Sequence, residues 1–325
     1  MLAKPHRPPF ELTTTAVALL IEIMRLVGRY EGLTSPAPQP KLRRQNQIRT
    51  VLGTVAIEGN ALSRDQATAI IDNKRVIGPK REILEIENAI GVYARAHEID
   101  PGRSAQLRSA HRSMMRGLIE DAGSFRTRGV GVIQGSKVAH VAPQAKRVPA
   151  LVDDLLGFVR RAADPHPIVK AAVTHYELEF IHPFSDGNGR MGRLWQHVML
   201  VRFHPLFGFV PVESLIHEKQ PEYYRVLGAC DQAGASTLFI DFTLSTVLAA
   251  LEEFLRELRP EPLTAKARLE IARGVFGSRG FSRKDYLAHF KALSTATASR
   301  DLRGAVESRA LVKSGDRART RYRFR

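Results

Sequence analysis

Apolar residues recur at helical spacing along most of this 325-residue sequence, and no other feature limits the fold as strongly. In the segment 168–180, for example, Val169, Ala172, Tyr176 and Phe180 fall on one helical face. Hydrophobic residues make up 44% of the chain and charged residues 25%, which is the balance of a folded protein rather than a disordered one. The sequence therefore predicts a mainly α-helical fold.

The periodicity changes in one short stretch. Apolar residues alternate on both sides of a turn at residues 134–136, which predicts a β-hairpin over about 130–141. Ser63, followed three residues later by Gln66, is a capping box that opens a short helix. The other helices are predicted at residues 13–30, 42–58, 81–98, 105–121, 148–162, 168–180, 190–203 and 239–258.

Cysteine content and hydropathy exclude several classes of protein. Cys230 is the only cysteine, which excludes an internal disulfide and a cysteine-based zinc site. The apolar run 16–21 ends at Glu22 and is too short to cross a membrane. We therefore expect a protein of the reducing cytoplasm that has no membrane partner.

The densest group of chemically active residues lies in residues 182–193. Pro183 disfavours helical angles at His182, so the preceding helix should end near residue 181 and display the imidazole at a junction. Gly187 and Gly189 permit close backbone approaches, and a helix should follow from about Arg190. A glycine-rich loop that leads into a helix N-terminus is suited to bind an anion.

The side chains of this segment fit the chemistry of phosphates. His182 is the residue best able to accept a proton near neutral pH. Asp186 offers a hard oxygen ligand for Mg²⁺ shared with phosphates, and Arg190 and Arg193 add charged donors one turn apart. A base, a metal ligand, a phosphate cradle and two cations together predict phosphate-group transfer from a nucleotide.

The same glycines also satisfy two other nucleotide-binding patterns in part. Gly187-x-Gly189-x-x-Gly192 matches the dinucleotide-binding pattern, but that pattern requires a buried strand before it. The preceding segment 168–180 has helical periodicity instead. A Walker A loop is absent, since no Lys-Ser/Thr pair follows the glycines.

Residues 182–193 resemble the motif of the Fic family, His-Pro-Phe-x-(Asp/Glu)-Gly-Asn-Gly-Arg-x-x-Arg, at every defined position. The resemblance extends over roughly residues 40–255 and implies a helical core with a β-hairpin flap. Most members of the family transfer AMP from ATP to a hydroxyl group of a protein and release pyrophosphate. The Doc branch, which phosphorylates its target, has lysine where this chain has Gly189.

The resemblance also implies a role for each motif residue. His182 is the expected general base, and Asp186 is the expected Mg²⁺ ligand. Arg193 is expected at the γ-phosphate, and the flap at 130–141 is expected to hold the target chain by strand pairing. The remaining ATP-binding residues are expected around the anion: Gly187, Asn188, Gly189 and Arg190.

A second segment resembles the inhibitory helix of this family, (Ser/Thr)-x-x-x-Glu-(Gly/Asn). Thr54 and Glu58 are four residues apart, so they share one face of a helix. The resemblance implies that Glu58 pairs with Arg193, so that Arg193 can no longer bind the γ-phosphate. The reverse reaction, removal of AMP from a modified protein with help from Glu58, is an alternative activity.

The positive charge is concentrated at the C-terminal end. Residues 263–325 hold 16 basic and 5 acidic residues, and the two prolines of 259–262 predict a hinge before them. The predicted order of helix, turn, helix and hairpin resembles a winged helix-turn-helix domain, with Thr295–Ser308 as its recognition helix. DNA is one expected partner, and protein docking or a basic surface without a ligand are the alternatives.

Three regions are therefore expected: an N-terminal helical region at 1–104, a catalytic core at 105–258 and the basic domain at 263–325. A regulator that binds DNA and senses nucleotide through an idle core is a further alternative. A homodimer is also compatible with the sequence.

Overall fold

The chain forms two units of structure in a computed structural model, one at Met1–Arg259 and one at Pro260–Arg325. The structure describes the whole chain except residues 1–6, 34–37, 130, 135–136, 162–164, 259–262, 291–292 and 317–318, and of residues 131–141 it describes only the backbone. Among the described residues, no helix is both long enough and apolar enough to cross a membrane.

The first unit is helical, which confirms the predicted fold class. Some of its helices begin at a residue whose side chain accepts a free N–H group of the first turn. The Thr13 hydroxyl accepts from the backbone N–H of Ala16 at 2.8 Å, and Ser63 and Gln66 form the predicted capping box. The helices are α1 (Thr14–Glu31), α2 (Pro40–Ala56), α3 (Arg64–Ile71), α4 (Lys80–Tyr93), α5 (Ser104–Met114), α6 (Val148–Arg160), α7 (Pro167–Ile181), α8 (Asn188–Phe203), α9 (Val212–Glu218), α10 (Gln220–Ala233) and α11 (Thr237–Glu257).

The predicted hairpin is present between α5 and α6. Strand β1 (Gly131–Gln134) pairs antiparallel with β2 (Lys137–Val141), and the register shifts between Val132 and Ile133. Such an irregularity increases the local twist of a strand pair. The sheet contains only these two strands within the described part of the chain.

Helices α7 and α8 lie at the centre of the first unit, and the segment 182–187 joins them. Almost every residue of the two helices is buried, including Trp195, which is the only tryptophan of the chain. A β-carbon on Gly192 would lie 2.6 Å from Cδ2 of His175, so the two helices approach closely there because residue 192 has no side chain. The junction between α7 and α8 is therefore held firmly.

Several helix ends differ from the prediction for local reasons. Helix α8 begins at Asn188 rather than Arg190 because Gly187, with a φ of 79°, turns the chain directly into it. Helix α5 ends at Met114, and Gly117 nearby has a φ of 72° that a helix cannot accommodate. Helices α9 and α10 were not predicted at all.

The second unit contains three helices and a hairpin within its described residues. They are α12 (Ala265–Phe276), α13 (Arg283–His289), α14 (Thr295–Glu307), β3 (Leu311–Ser314) and β4 (Arg321–Phe324). Phe281, Tyr286 and Leu302 lie in a separate apolar core, and Phe281 pairs with Tyr322 beside the hairpin. The buried guanidinium of Arg268 donates to both carboxylate oxygens of Asp301, at 2.6 and 2.9 Å.

Candidate active site

The His182 imidazole stands at the point where α7 ends. His182 adopts a left-handed conformation with a φ of 51°, and its N–H still closes the helix on the carbonyl of Leu178. Its Nδ1 lies 3.2 Å from the carbonyl oxygen of Glu179, which can only accept a hydrogen bond. Nδ1 must therefore carry the proton in that bond, and the neutral ring keeps its Nε2 lone pair for another partner.

The loop after His182 is fixed by the side chain of Asn188. Its Oδ1 accepts from the backbone N–H of Phe184 at 2.8 Å, and its Nδ2 donates to the carbonyl of Phe184 at 3.0 Å. The Phe184 ring is fully buried and stacks on His111 with ring centres 3.6 Å apart. The Asn188 side chain thus shapes the loop, which leaves its backbone N–H as the group available to an anion.

His111 supports this loop from α5, a contact that the sequence did not indicate. Its Nδ1 accepts from the backbone N–H of Gly123 at 2.8 Å, so its Nε2 donates to the carbonyl of Asp186 at 2.9 Å. Burial lowers the pKa of His111 below its usual value. A neutral ring is what this pair of hydrogen bonds requires.

The first turn of α8 presents backbone N–H groups that have no partner within the helix. The turn can begin abruptly because of Gly187, where a β-carbon would lie 2.6 Å from the sulfur of Met115. The Arg190 side chain is almost completely buried, 3.5 Å from Glu85 and 3.7 Å from Asp186. Its Nε is buried and has no hydrogen-bond partner among the described residues. These features make an electropositive recess at the end of the loop.

The Arg193 side chain is held by the C-terminal end of α2 and by Glu58 just after it. Its Nε donates to the Thr54 hydroxyl at 3.1 Å, and its Nη2 donates to the Thr54 carbonyl at 3.1 Å and to Oε1 of Glu58 at 2.5 Å. Burial disfavours the guanidinium charge, but Glu58, Tyr223 and Glu179 together outweigh burial, and the pKa of Arg193 is raised. Within the part of the chain that the structure describes, the Arg193 side chain therefore hydrogen-bonds only to the segment 54–58.

Glu58 reaches Arg193 because α2 ends beside it. The N–H of Gly59 bonds the carbonyl of Ala56, the N–H of Asn60 bonds that of Val55, and Gly59 has a φ of 91°. This pattern is a Schellman motif, and Glu58 lies directly before the glycine that turns the chain away from the helix. Gly59 and Asn60, which directly follow the helix predicted at 42–58, thus set the position of the carboxylate.

A second carboxylate lies near Arg193 on α7. Oε1 of Glu179 accepts from the Tyr223 hydroxyl at 3.1 Å and lies 3.7 Å from Nε2 of His175. Burial raises the pKa of Glu179, but His175, Arg193 and His182 lower it further, so the net shift is downward. His175 is therefore a hydrogen-bonded helix histidine, and within the described residues no cluster of three or more potential metal ligands exists.

Arg126 is the most extensively bonded residue that sequence reasoning missed. Its guanidinium donates to four backbone carbonyls, those of Arg128, Pro143, Ile181 and His182, at 2.6 to 3.2 Å. Burial lowers the pKa of Arg126. It ties the two ends of the hairpin segment to the end of α7, which no local pattern in the sequence reveals.

Three further residues carry groups that could take part in chemistry: Cys230, Tyr224 and His140. Cys230 is buried, and burial raises the pKa of its thiol above the usual value, which opposes a nucleophilic role. The Tyr224 hydroxyl donates to the carbonyl of Ile57 at 3.3 Å, next to Glu58. The side chain of His140 lies outside the described residues.

Comparison with known proteins gives consistent matches. The sequence model described as "Fic/DOC family" matches residues 101–200. The chain is 31% identical over 234 residues to protein adenylyltransferase fic-1 of Caenorhabditis briggsae, which covers 67% of this chain and 43% of that protein. It is 28% identical over 250 residues to protein adenylyltransferase Fic of Nematostella vectensis, covering 72% and 55%. The chain thus spans about half the length of these curated relatives.

A solved structure matches nearly the whole chain. The crystal structure of a Fic family protein from Desulfovibrio desulfuricans G20 is 37% identical, covers 98% of each chain and has a TM-score of 0.75. Residues 134–508 of Fic-1 from Caenorhabditis elegans match 74% of this chain at 23% identity, with a TM-score of 0.61, which supports the fold alone.

Proposed function

Because this chain belongs to the Fic/DOC family, we propose that it is a protein adenylyltransferase, which transfers AMP from Mg²⁺–ATP to a hydroxyl side chain of a target protein. Relatives that are named for this activity match the chain over about half of their own sequences. We keep the reducing cytoplasm as its proposed compartment, since the one cysteine, Cys230, is buried and free.

The observation that carries the proposal is the position of His182. Its Nδ1 is bound to the Glu179 carbonyl, and its Nε2 is left to accept a proton beside the first turn of α8. In the proposed reaction, the target oxygen attacks the α-phosphorus and the bond to the β-phosphate breaks, so that pyrophosphate leaves. The hydroxyl proton passes to Nε2 of His182.

The first turn of α8 is the proposed phosphate cradle. The backbone N–H groups of Asn188, Gly189 and Arg190 belong to that turn, and the Arg190 guanidinium lies behind it. Fixed donors of this kind stabilise the charge that grows on the phosphate oxygens during transfer. They need no reorganisation, because Asn188 and His111 already hold the loop.

Asp186 is the residue that would hold Mg²⁺. Its Oδ1 accepts from the backbone N–H of Gly187 at 2.6 Å, its Oδ2 lies 3.8 Å from Arg81, and the side chain is 46% exposed. One accessible carboxylate fits Mg²⁺, which takes few protein ligands and completes its shell with phosphate oxygens and water. When bound, the ion would neutralise charge on the phosphates.

The hairpin is the proposed docking site of the target chain. A two-stranded sheet leaves the outer edges of β1 and β2 open for strand addition, and Arg126 ties this segment to His182. Main-chain pairing would bring a Ser, Thr or Tyr hydroxyl to Nε2 of His182 without selecting much sequence.

Glu58 is the proposed inhibitor of the reaction. Its carboxylate accepts a hydrogen bond from the Arg193 guanidinium at 2.5 Å. We assign that guanidinium to binding of the γ-phosphate. The γ-phosphate of ATP would then have no arginine to bind. ATP would be held with its α-phosphate out of line with the attacking oxygen. Loss of the Glu58 side chain should release Arg193.

Intact-protein mass after incubation with Mg²⁺–ATP tests the proposal. Three proteins are compared: the unaltered chain, Glu58→Gly, and Glu58→Gly combined with His182→Ala. Added AMP on Glu58→Gly alone would support the transferase activity, its base and its inhibitor. AMP gained equally by all three would contradict both roles. Release of AMP from a modified protein, measured on the unaltered chain, would favour the reverse reaction.

The C-terminal unit supports a second candidate function, contact with DNA. On α14 the residues Ala298, Leu302 and Ala305 are buried, whereas Arg300 and Arg303 are exposed. Arg321 and Arg323 alternate along β4, so they share one face of the hairpin. The alternation in the sequence predicts that Arg317, Arg319 and Arg321 share one face of this hairpin, but Arg319 lies in the turn before β4 and Arg317 lies outside the described residues.

Retention on double-stranded DNA at rising salt tests this second function. DNA contact predicts retention at low salt that falls steeply as salt increases, and a weaker retention for Arg300→Ala combined with Arg303→Ala. Arg225→Ala, an exposed arginine of α10, is the matched control. Equal retention of all proteins would leave protein docking as the role of this unit.

A further inference from the structure

A buried polar cluster lies on the side of α2 that faces away from solvent. Nδ1 of His197, on α8, lies 3.3 Å from Oε1 of Glu213, at the start of α9. The ring of Tyr93, at the end of α4, packs edge-on against the His197 ring with centres 5.0 Å apart. All three side chains are more than nine-tenths buried. They connect three helices that are distant in sequence.

Two atoms of this cluster have unused hydrogen-bonding capacity. The Tyr93 hydroxyl and Oε2 of Glu213 are buried, and neither has a hydrogen-bond partner of normal geometry within the described structure. They are chemically complementary, because the hydroxyl can donate and the carboxylate oxygen can only accept. An open cavity of about 380 Å³ is lined in part by Tyr93, His197 and Thr50, but not by Glu213.

The cluster touches the main chain of α2 directly. A β-carbon on Gly53 would lie 2.6 Å from the carbonyl carbon and oxygen of Glu213, so the two backbones meet with no side chain between them. Thr54 is the next residue along the helix. Any shift of Glu213 is therefore transmitted to the turn of α2 that binds Arg193.

Thr54 links the cluster to Arg193. Its hydroxyl accepts from Nε of Arg193 at 3.1 Å, which leaves the hydroxyl proton to be donated elsewhere. Burial raises the pKa of Tyr93 and Glu213 raises it further, whereas Thr54 and Arg193 lower it, so the Tyr93 hydroxyl lies within the influence of all three. After a small shift of these side chains, the Tyr93 hydroxyl could accept from Thr54 and donate to the Glu213 carboxylate.

We propose that Tyr93, Glu213 and His197 are positioning residues for the inhibitory segment: they hold Thr54, and with it Glu58, in register with Arg193. The inference rests on the proposed inhibition by Glu58. None of the three touches the nucleotide recess. They set how firmly α2 retains the arginine, and weakening them releases it in part.

The first test compares rates of AMP transfer and of pyrophosphate release for Tyr93→Phe and a matched control. Tyr176→Phe removes the same atom from another buried tyrosine, whose hydroxyl donates to Asp231 at 3.0 Å. Because the Tyr93 hydroxyl makes no hydrogen bond of normal geometry, we expect Tyr93→Phe to raise the rate only about twofold, the equilibrium factor of a weak hydrogen bond. Tyr176→Phe should leave the rate unchanged. Equal rates for the two variants would overturn the inference.

Tyr93→Phe and Tyr176→Phe are then each combined with Glu58→Gly. There we expect no further increase from Tyr93→Phe, because the segment it positions no longer carries the inhibitor. An equal increase in both backgrounds would show that Tyr93 acts on the active site by another route and would overturn the proposal. If Glu58→Gly itself transfers no AMP and releases no pyrophosphate, the proposed function fails.

A measurement without activity decides the inference in that case. Urea unfolding, followed by the fluorescence of Trp195, is recorded for Tyr93→Phe, Thr54→Val and the double variant. A connected chain predicts that the double variant loses less in its midpoint than the sum of the two single losses. Tyr176→Phe combined with Thr54→Val should lose the full sum. Additive losses in both pairs would overturn the proposal.

Discussion

Oε1 of Glu58 lies 2.6 Å from the point where a β-carbon on Gly189 would stand, and Nη1 of Arg193 lies 3.1 Å from it. The second glycine of the loop therefore makes room for the inhibitory carboxylate as well as for a phosphate. A residue with a side chain at position 189 would therefore clash with the carboxylate of Glu58 as it is now placed.

Gly189→Ala should consequently break the Glu58–Arg193 pair. The Glu58 side chain is 28% exposed and can move away, so the cost is the lost hydrogen bond to a charged group, about 2 kcal/mol in the free energy of unfolding. In the Glu58→Gly background the same substitution should cost close to nothing. Urea unfolding followed by Trp195 fluorescence measures both values, and an equal loss in the two backgrounds would contradict the exclusion.

Arg126→Lys should damage the active site from a distance. Lysine has one point charge and cannot reach carbonyls that surround a planar guanidinium. We expect a loss of about 2 kcal/mol in stability and, in the Glu58→Gly background, a fall of about tenfold in the turnover of AMP transfer. Arg225→Lys, an exposed arginine, should change neither quantity. A fall for Arg126→Lys in ATP affinity alone would contradict a role in placing His182.

The motif itself was predictable because its information is local. Pro183 after His182 and the glycines before α8 fix the end of one helix and the start of the next, so the recess could be inferred from spacing. The stop at Gly59 was local too, and it places Glu58. Asn188 was predicted among the ATP-binding residues, yet its side chain is used to bind the Phe184 backbone.

The contacts that could not be predicted join residues far apart in the chain. Arg126 meets His182 across 56 positions, and no pattern around either residue indicates the other. Helices α9 and α10 were missed because α9 has only seven residues, too few to show a period, and α10 follows it directly. The partner of Tyr93 on α9 was therefore also hidden.

We expect the stability of the C-terminal unit to depend on the ion pair between Arg268 and Asp301. Both side chains are less than a tenth exposed, at 9% and 3%, and Asp301 also accepts from the Tyr286 hydroxyl at 3.3 Å. Asp301→Asn leaves the guanidinium without a buried counter-charge, which should cost about 3 kcal/mol. Hydrogen exchange of α12 and α14 should then become much faster, while Asp316→Asn, an exposed change, has no effect. Unchanged exchange would mean that the apolar core alone holds the unit.

Glu177 on α7 predicts a pH dependence of stability. It is buried, with 9% of its surface exposed, and burial raises the pKa of its carboxyl to about 7 from an ordinary value near 4.5. The folded state holds the Glu177 carboxyl in its protonated form more strongly than the unfolded state does. The contribution of the carboxyl to stability is therefore full below pH 4.5 and is lost as pH rises through 7. The total loss is roughly 3 kcal/mol.

Glu177→Gln removes this titration. The free energy of unfolding of the variant relative to the unaltered protein should therefore increase by about 2 kcal/mol between pH 5 and pH 8. Urea unfolding at the two pH values, followed by Trp195 fluorescence, measures the change. Glu222→Gln, an exposed position on α10 that lies 3.8 Å from Arg225, is the control and should give the same difference at both pH values. A constant difference for Glu177→Gln as well would mean that the buried carboxyl ionises in the folded protein as readily as in water.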